Sequence, residues 1–312
     1  MIFNKSANGS DELRALTGSY YANNDFAKIE TDILLATEEV ARIVGKPIID
    51  KVELEYKSEA APVELYASLI KYIQLPIAIL ATLNMYQKND VSHEQDGRKV
   101  KINSETEKLP WEWQLKRDDE IQLNAYYKAV DRLIAFLEIK DPTEWKNSDQ
   151  KKLANALFIK NAEMFDTYFP IERSGRMYML LLPSIREAER RYIKPALSTD
   201  YALLKAATAP TDVQKELLEY VYPIIPLLAM SLAIRRLPLG LIPSGVIRNY
   251  VSSSQTMSAS DPASLPDVKM LSSWLMDDAI ILLEEMKRFR NATPVNYQLL
   301  PTNAATNKFM KV

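Results

Sequence analysis

The chain has 312 residues, 47% of them hydrophobic and 26% charged, with a formal net charge of −2 and only 7 glycines, as suits a folded, largely helical protein. It has no Cys, which removes disulfides, thiolate zinc sites and cysteine nucleophiles, and one His, so any imidazole chemistry rests on His93. The near-neutral balance supplies no basic field for holding nucleic acid.

Residues 1–25 are polar and read as an N-terminal arm outside the core. Asp25 is placed to cap a helix whose apolar residues Phe26, Ile29, Ile33, Ala36, Val40 and Ile43 follow 3-4 spacing, one stripe on an α-helix. Gly45 and Pro47 form a stop signal, and a short polar crossing follows. Pro62 to Tyr86 reads as a central helix, apolar on most sides, with Pro76 expected to kink it. Asp96-Gly97 predicts a hairpin turn that would pair Gln95 with Arg98, Glu94 with Lys99, His93 with Val100 and Val91 with Ile102. A closing helix runs from Trp111 to Leu137. Residues 141–170 read as a linker, with Ser148-Asp149 placed to cap a short helix through Ala156.

The same order then recurs. Lys46-Pro47 and Lys194-Pro195 end similar helices 148 residues apart, and Pro76 and Pro226 stand 150 apart inside apolar segments. Asp96-Gly97 matches Ser244-Gly245, with a second, weaker hairpin expected over Leu239 to Tyr250. Leu137-Glu138 matches Leu283-Glu284 near the end of each closing helix. Four landmarks in one order predict a mainly α protein built from two tandem helix–helix–β-hairpin–helix units, over 26–140 and 171–290, with extended termini. Residues 291–312 carry no clear period and read as an extended C-terminal tail.

No catalytic motif accompanies the repeat. Gly45-Lys46 lacks the earlier Gly and the following Ser or Thr of a phosphate loop. His93-Glu94 with Asp96 would place alternate side chains on opposite faces of a strand, and no second His completes a metal site. The acidic pairs Glu38-Glu39, Asp118-Asp119, Asp277-Asp278 and Glu284-Glu285 diverge by about 100° as neighbours on a helix, so they read as solvated faces. Expected i,i+4 partners are Glu38 with Arg42, Glu187 with Arg191, and Glu284 with Arg288. Basic residues gather at Arg186, Arg190, Arg191 and Lys194, without the interleaved aromatics of a single-strand binder. The apolar run Tyr220–Ile234 falls short of the ~20 residues of a bilayer span, and Met1–Ser6 has no secretory pattern, so a cytoplasmic compartment is expected by default.

The duplicated order, the Ile193-Lys194-Pro195 helix end, Arg236-Leu237-Pro238 and Ile242-Pro243-Ser244-Gly245-Val246 resemble a family of unassigned function from Bacteroidota phages and prophages. That family is related to the head–tail connector, or neck ring, proteins of tailed phages, and the resemblance covers roughly residues 26–290. It implies a non-enzymatic virion protein with no cofactor and no metal. Copies would form a ring, dodecameric by portal symmetry, that contacts the portal and further neck or tail proteins and lets genomic DNA slide past without specific binding or a membrane. Assembly would occur in the host cytoplasm. The alternatives are a helical adaptor or regulator outside the virion, and a metal-free hydrolase built from Ser, Asp and Lys.

Within the tail, Leu299, Leu300, Phe309 and Met310 are the expected partner-binding residues, since the stretch is too short and polar to form its own core.

Overall fold

A computed structural model describes residues 1–18, 25–94, 97–99, 110–236, 247–251, 258–262 and 265–292. The chain is mainly α-helical and divides into two compact units, Met1–Asp166 with Pro170–Leu182, and Thr167–Phe169 with Pro183–Val312.

In the first unit, α1 (Gly9–Thr17) precedes α2 (Phe26–Val44), where Asp25 caps by accepting the Ala27 N–H at 3.2 Å. The α2 stripe buries Ile29, Ile33, Ala36 and Val40, as its spacing predicts, and adds Asp32 and Val44. Buried Asp32 is paired with Lys88. The segment after Gly45 is not a polar crossing but a twelve-residue helix, α3 (Lys46–Lys57), which buries Ile48, Ile49 and Val52. Pro47 stands in its first turn, where a missing N–H costs nothing, so Lys-Pro opens a helix as well as closing one. Gly45 makes the break possible. Its N–H still bonds to the Ala41 carbonyl at 2.8 Å, while φ 97° and ψ 137° suit glycine alone. An added Cβ would also stand 3.1 Å from the Ser148 side chain. Gly45→Ala is therefore expected to cost about 1–3 kcal/mol, read as a lowered urea midpoint at unchanged slope.

The central helix α4 (Glu64–Asn89) runs through Pro76 and meets α5 (Glu112–Lys140) along a face where Tyr72 and Phe136 stack at 4.5 Å. Between them, β1 (Ser92–Glu94) and β2 (Gly97–Lys99) pair antiparallel, His93 with Arg98 and Glu94 with Gly97. The expected register is corrected: Gly97 belongs to a strand and pairs with Glu94, and Arg98 pairs with His93 rather than Gln95. Alternation fixes which residues share a face but leaves a shift of the turn open.

The N-terminal segment is not an arm outside the core. Ile2, Phe3 and Leu13 are buried in the same cluster as Ile33, Ile73 and Val130, and the Gln74 amide donates to the Ile2 carbonyl at 2.7 Å. Residues 141–166 are not a free linker either. They form α6 (Thr143–Lys146), α7 (Asp149–Asn155) and the start of α8 (Ala162–Tyr168), with Ser148 capping α7 as expected. Trp145 is fully buried and donates to Glu138 at 3.2 Å. The last stretch of this unit enters α9 (Gly175–Ala188), whose first turn is anchored by Asp131, accepting from the Ser174 hydroxyl at 2.9 Å and the Arg176 N–H at 2.8 Å.

In the second unit, α9 passes into a π-helical turn, Glu189–Ile193, in which the Lys194 N–H reaches back five residues to the Glu189 carbonyl. Pro195 cannot donate, and the wider turn accommodates that loss where the first unit breaks at Gly45. Helix α10 (Lys194–Leu197), α11 (Asp200–Ala206) and the long α12 (Asp212–Arg236) follow, α12 running through Pro223 and Pro226. Helix α13 (Leu265–Asn291) crosses α12 at Ser231 and Ser272, whose hydroxyls each donate to the other's carbonyl, at 2.8 and 3.0 Å. The strand pair described here is β3 (Ile247–Val251) with β4 (Ser258–Pro262), and the turn expected at Ser244-Gly245 lies outside the described residues.

Both α4 and α12 are long and apolar enough to cross a bilayer, because their polar ends add to the apolar run. The shorter estimate from Tyr220–Ile234 is corrected on that point. Burial of 50% and 67% of their apolar windows inside the protein is what core helices show.

Glu187 accepts from Arg236 and, at 2.7 Å, from Arg191, and these hydrogen bonds hold its carboxyl down to about 2 from an ordinary 4.5. A depressed carboxylate contributes stability above its ordinary range and loses it as pH falls toward the folded value. The difference in melting temperature between the native chain and Glu187→Gln is therefore expected to shrink between pH 4.5 and 2. A difference constant across that window contradicts the assignment.

Candidate functional site

Within the second unit lies a groove of about 420 Å³ where α11, the first turns of α12 and the end of α13 converge. Its sequence logic is local. Thr211 and Gln214 form a reciprocal capping box: the Thr211 N–H donates to Gln214 Oε1 at 2.9 Å, and the Gln214 N–H donates to Thr211 Oγ1 at 3.3 Å. The box fixes the entry of α12 and sets Val213 on the groove wall, one turn before buried Leu217. From α11 come Leu203 and Leu204, the second buried and the first 59% exposed. Val213 is 66% exposed, so two walls present aliphatic surface to solvent.

Arg290 closes the other side. Its Nε donates to Asp200 Oδ2 at 2.8 Å and its Nη1 to the Ala196 carbonyl at 3.0 Å, tying α13 to α10 and α11. Phe289 beside it packs near Tyr220, with ring centroids 5.7 Å apart. Asp200 and Glu216 put carboxylates on the rim, and Ala292, the last described residue, lines the lip. An apolar floor with a polar rim suits an apolar side chain delivered by a peptide backbone. It holds no nucleophile next to a base.

Beneath α11 lies a second polar cluster. Glu189, 2% exposed, accepts from Lys205 at 2.7 Å and from the Tyr201 hydroxyl at 3.2 Å. Burial, reinforced by the Glu189 charge, pushes the Tyr201 phenol up to about 12. The arrangement fixes the π turn to α11 and so positions the groove wall.

The residues singled out from sequence fall as follows. Leu299, Leu300, Phe309 and Met310 lie outside the described residues, as does Asp96. His93 and Glu94 are consecutive in β1. Among the described residues, no three His, Asp or Glu side chains converge on a point where an ion could be held. The acidic pairs are not brought together; Glu39 pairs with Arg42 at 2.8 Å, Asp119 accepts from Gln87 at 3.0 Å, and Glu284 pairs with Lys287 at 2.7 Å. The expected Glu187–Arg191 pair forms, whereas Glu38 and Arg288 yield to neighbours spaced i,i+3. The groove itself was missed. Thr211-Asp212-Val213-Gln214 carries the capping-box signal that places its wall, but the Arg290–Asp200 contact spans 90 residues and has no local signature.

Residues 40–155 and 188–310, together more than half of the chain, match the model of a family of unknown function, DUF6712. The chain belongs to the DUF6712 family. Comparison with curated proteins and with solved structures gives no match. The groove falls within the second segment of the DUF6712 match, and the α2–α7 region falls largely within the first.

Proposed function

We propose that the chain is a structural ring subunit of a tailed-phage neck, stacking on the portal, continuing the DNA channel and presenting a platform to the next neck or tail protein. The observation that carries the reading is an element order that runs twice. In both runs a helix leads into a second helix opened by Lys-Pro, and a long apolar helix with an internal proline, an antiparallel strand pair and a long closing helix come after it; the second run adds α11 before its apolar helix. Pro76 in α4 and Pro226 in α12 occupy corresponding elements, and Leu137 and Leu283 are both buried in the closing helices. The family match begins at residue 40 and again at 188, the same 148-residue spacing as Lys46-Pro47 and Lys194-Pro195. These correspondences support a duplicated helix–helix–strand pair–helix unit, the architecture that the connector resemblance implies.

Exposed large apolar side chains add a second support. Trp111 and Trp113 in the first unit, and Trp274, Ile281, Leu203 and Val213 in the second, are more than half exposed. Scattered singly such residues are ordinary, but a ring subunit covers faces of this kind on assembly. The role is non-enzymatic and needs no cofactor, and DNA passes without being held because 39 Lys and Arg residues are balanced by 41 Asp and Glu, which leaves no net attraction to phosphate.

The test is mass spectrometry of purified particles induced from a host that carries the gene. The reading requires peptides of this chain in the particle at the copy number of the portal protein. Their absence from particles, with the protein abundant in the same lysed cells, rejects a virion role.

A further inference from the structure

We propose that the groove between α11, α12 and α13 is a socket for the Lys308-Phe309-Met310-Lys311 segment of a second copy of this chain. The assignment rests on the ring reading and specifies how neighbouring copies are linked.

Three observations converge on this occupant. The groove offers an aliphatic floor at Leu204 and Leu217 with exposed walls at Leu203 and Val213, and about 420 Å³ is room for a pair of large side chains with their backbone. Its rim is acidic on balance, because Arg290 is already engaged by Asp200 and Glu216 remains exposed. Residues 293–312 contain no Asp or Glu, and their two lysines bracket Phe309-Met310, so one short segment carries both the apolar pair and the complementary charge. Leu299-Leu300, the other apolar pair, is followed by Pro301 and has no cation nearby in the sequence.

Where the chain leaves the groove argues for a second copy. Ala292 lines the lip, so the tail starts at the socket it would have to fill, and 16 residues separate Ala292 from Phe309. Fully extended, that stretch reaches roughly 55 Å, beyond the ~36 Å width expected for a unit of some 130 residues. A tail of this length bridges to a neighbour without strain. Each copy then supplies one socket and one plug, which is the heterologous contact that closes a ring.

The chain has no native Cys, which makes the test direct. Full-length Leu203→Cys and full-length Met310→Cys are mixed and oxidised, and the disulfide-linked pair is scored on non-reducing gels. As a control, Met310→Cys is mixed with Leu54→Cys, an exposed position on α3. The socket assignment expects linkage between copies at least about tenfold above that control, since docking raises the local thiol concentration. Adding Val213→Asp to the Leu203→Cys chain should return linkage to the control level. Linkage confined to a single chain carrying both Leu203→Cys and Met310→Cys overturns the second-copy assignment in favour of the chain's own tail. Linkage no greater than control, in either format, overturns the socket altogether. The ring reading is scored separately: Met310→Asp that still assembles on the portal at full copy number defeats the socket and leaves the ring. Specific linkage between copies that ignore the portal defeats the neck role and leaves the socket.

Discussion

Trp145→Ala is expected to destabilise the first unit by about 3–5 kcal/mol, the range for deleting a fully buried aromatic side chain. The indole is completely shielded, so its removal loses both the transfer free energy and the contacts around the cavity it leaves. Its Nε1–H donates to Glu138, which also accepts from Lys151 at 2.5 Å, so the same residue links α6 to the end of α5 and the start of α7. Far-UV circular dichroism in urea reads the change. The unfolding step of the first unit should move to markedly lower urea, and because the chain has two units the trace is fitted without assuming a single transition. A shift equivalent to less than ~1 kcal/mol would mean that residues 141–166 are a dispensable linker after all, a size more typical of surface substitutions.

Lys205→Met is expected to cost the second unit about 3 kcal/mol, the lower end of what breaking a buried ion pair costs. The substitution keeps most of the side-chain volume and removes only the ammonium that faces Glu189 at 2.7 Å. Glu189 is 2% exposed and held in the π turn, so it cannot move to water without unwinding that turn. The Tyr201 hydroxyl still donates to it, which keeps the loss toward the low end. Adding Glu189→Met should recover part of the stability, because removing both partners removes the stranded charge. Thermal unfolding of the two variants checks the pair: a single variant as stable as the native chain, or a double variant less stable than the single, contradicts the account. The groove wall formed by α11 depends on this pair, so Lys205→Met should also weaken any contact made there.

What could be read from the sequence was what local chemistry determines. The Asp25 cap, the Ile29–Val40 stripe, the Gly45 stop and the Ser148 cap each involve residues within a few positions of one another, and each is realised. The errors come from cues with two meanings or from distant partners. Lys46-Pro47 signalled an end and concealed the start of α3. Ile2, Phe3 and Leu13 are isolated apolar residues in a polar stretch, and only their packing against α2 and α4 residues makes them core. Trp145 stands in the stretch expected to be a linker, and its contacts to Glu138 and through it to Lys151 come from other helices, so nothing local marks it as core. The first strand pair falls in the expected stretch with a shifted register, whereas the second joins Ile247–Val251 to Ser258–Pro262, beyond most of the stretch expected for it, since a two-residue period carries no information about where the chain reverses. The groove depends on Asp200 meeting Arg290 across 90 residues, a contact no motif announces. The tail residues draw attention by composition alone and lie outside the described residues.

The central proposal, that this chain is a ring subunit built for a portal vertex, is most directly tested by co-expressing it with a candidate portal protein and measuring the native mass of what co-purifies. The account expects a single assembly whose mass equals the portal ring plus one copy of this chain for each portal subunit. Two separate species, a bare portal ring and an unassembled 35.6 kDa chain, would contradict it.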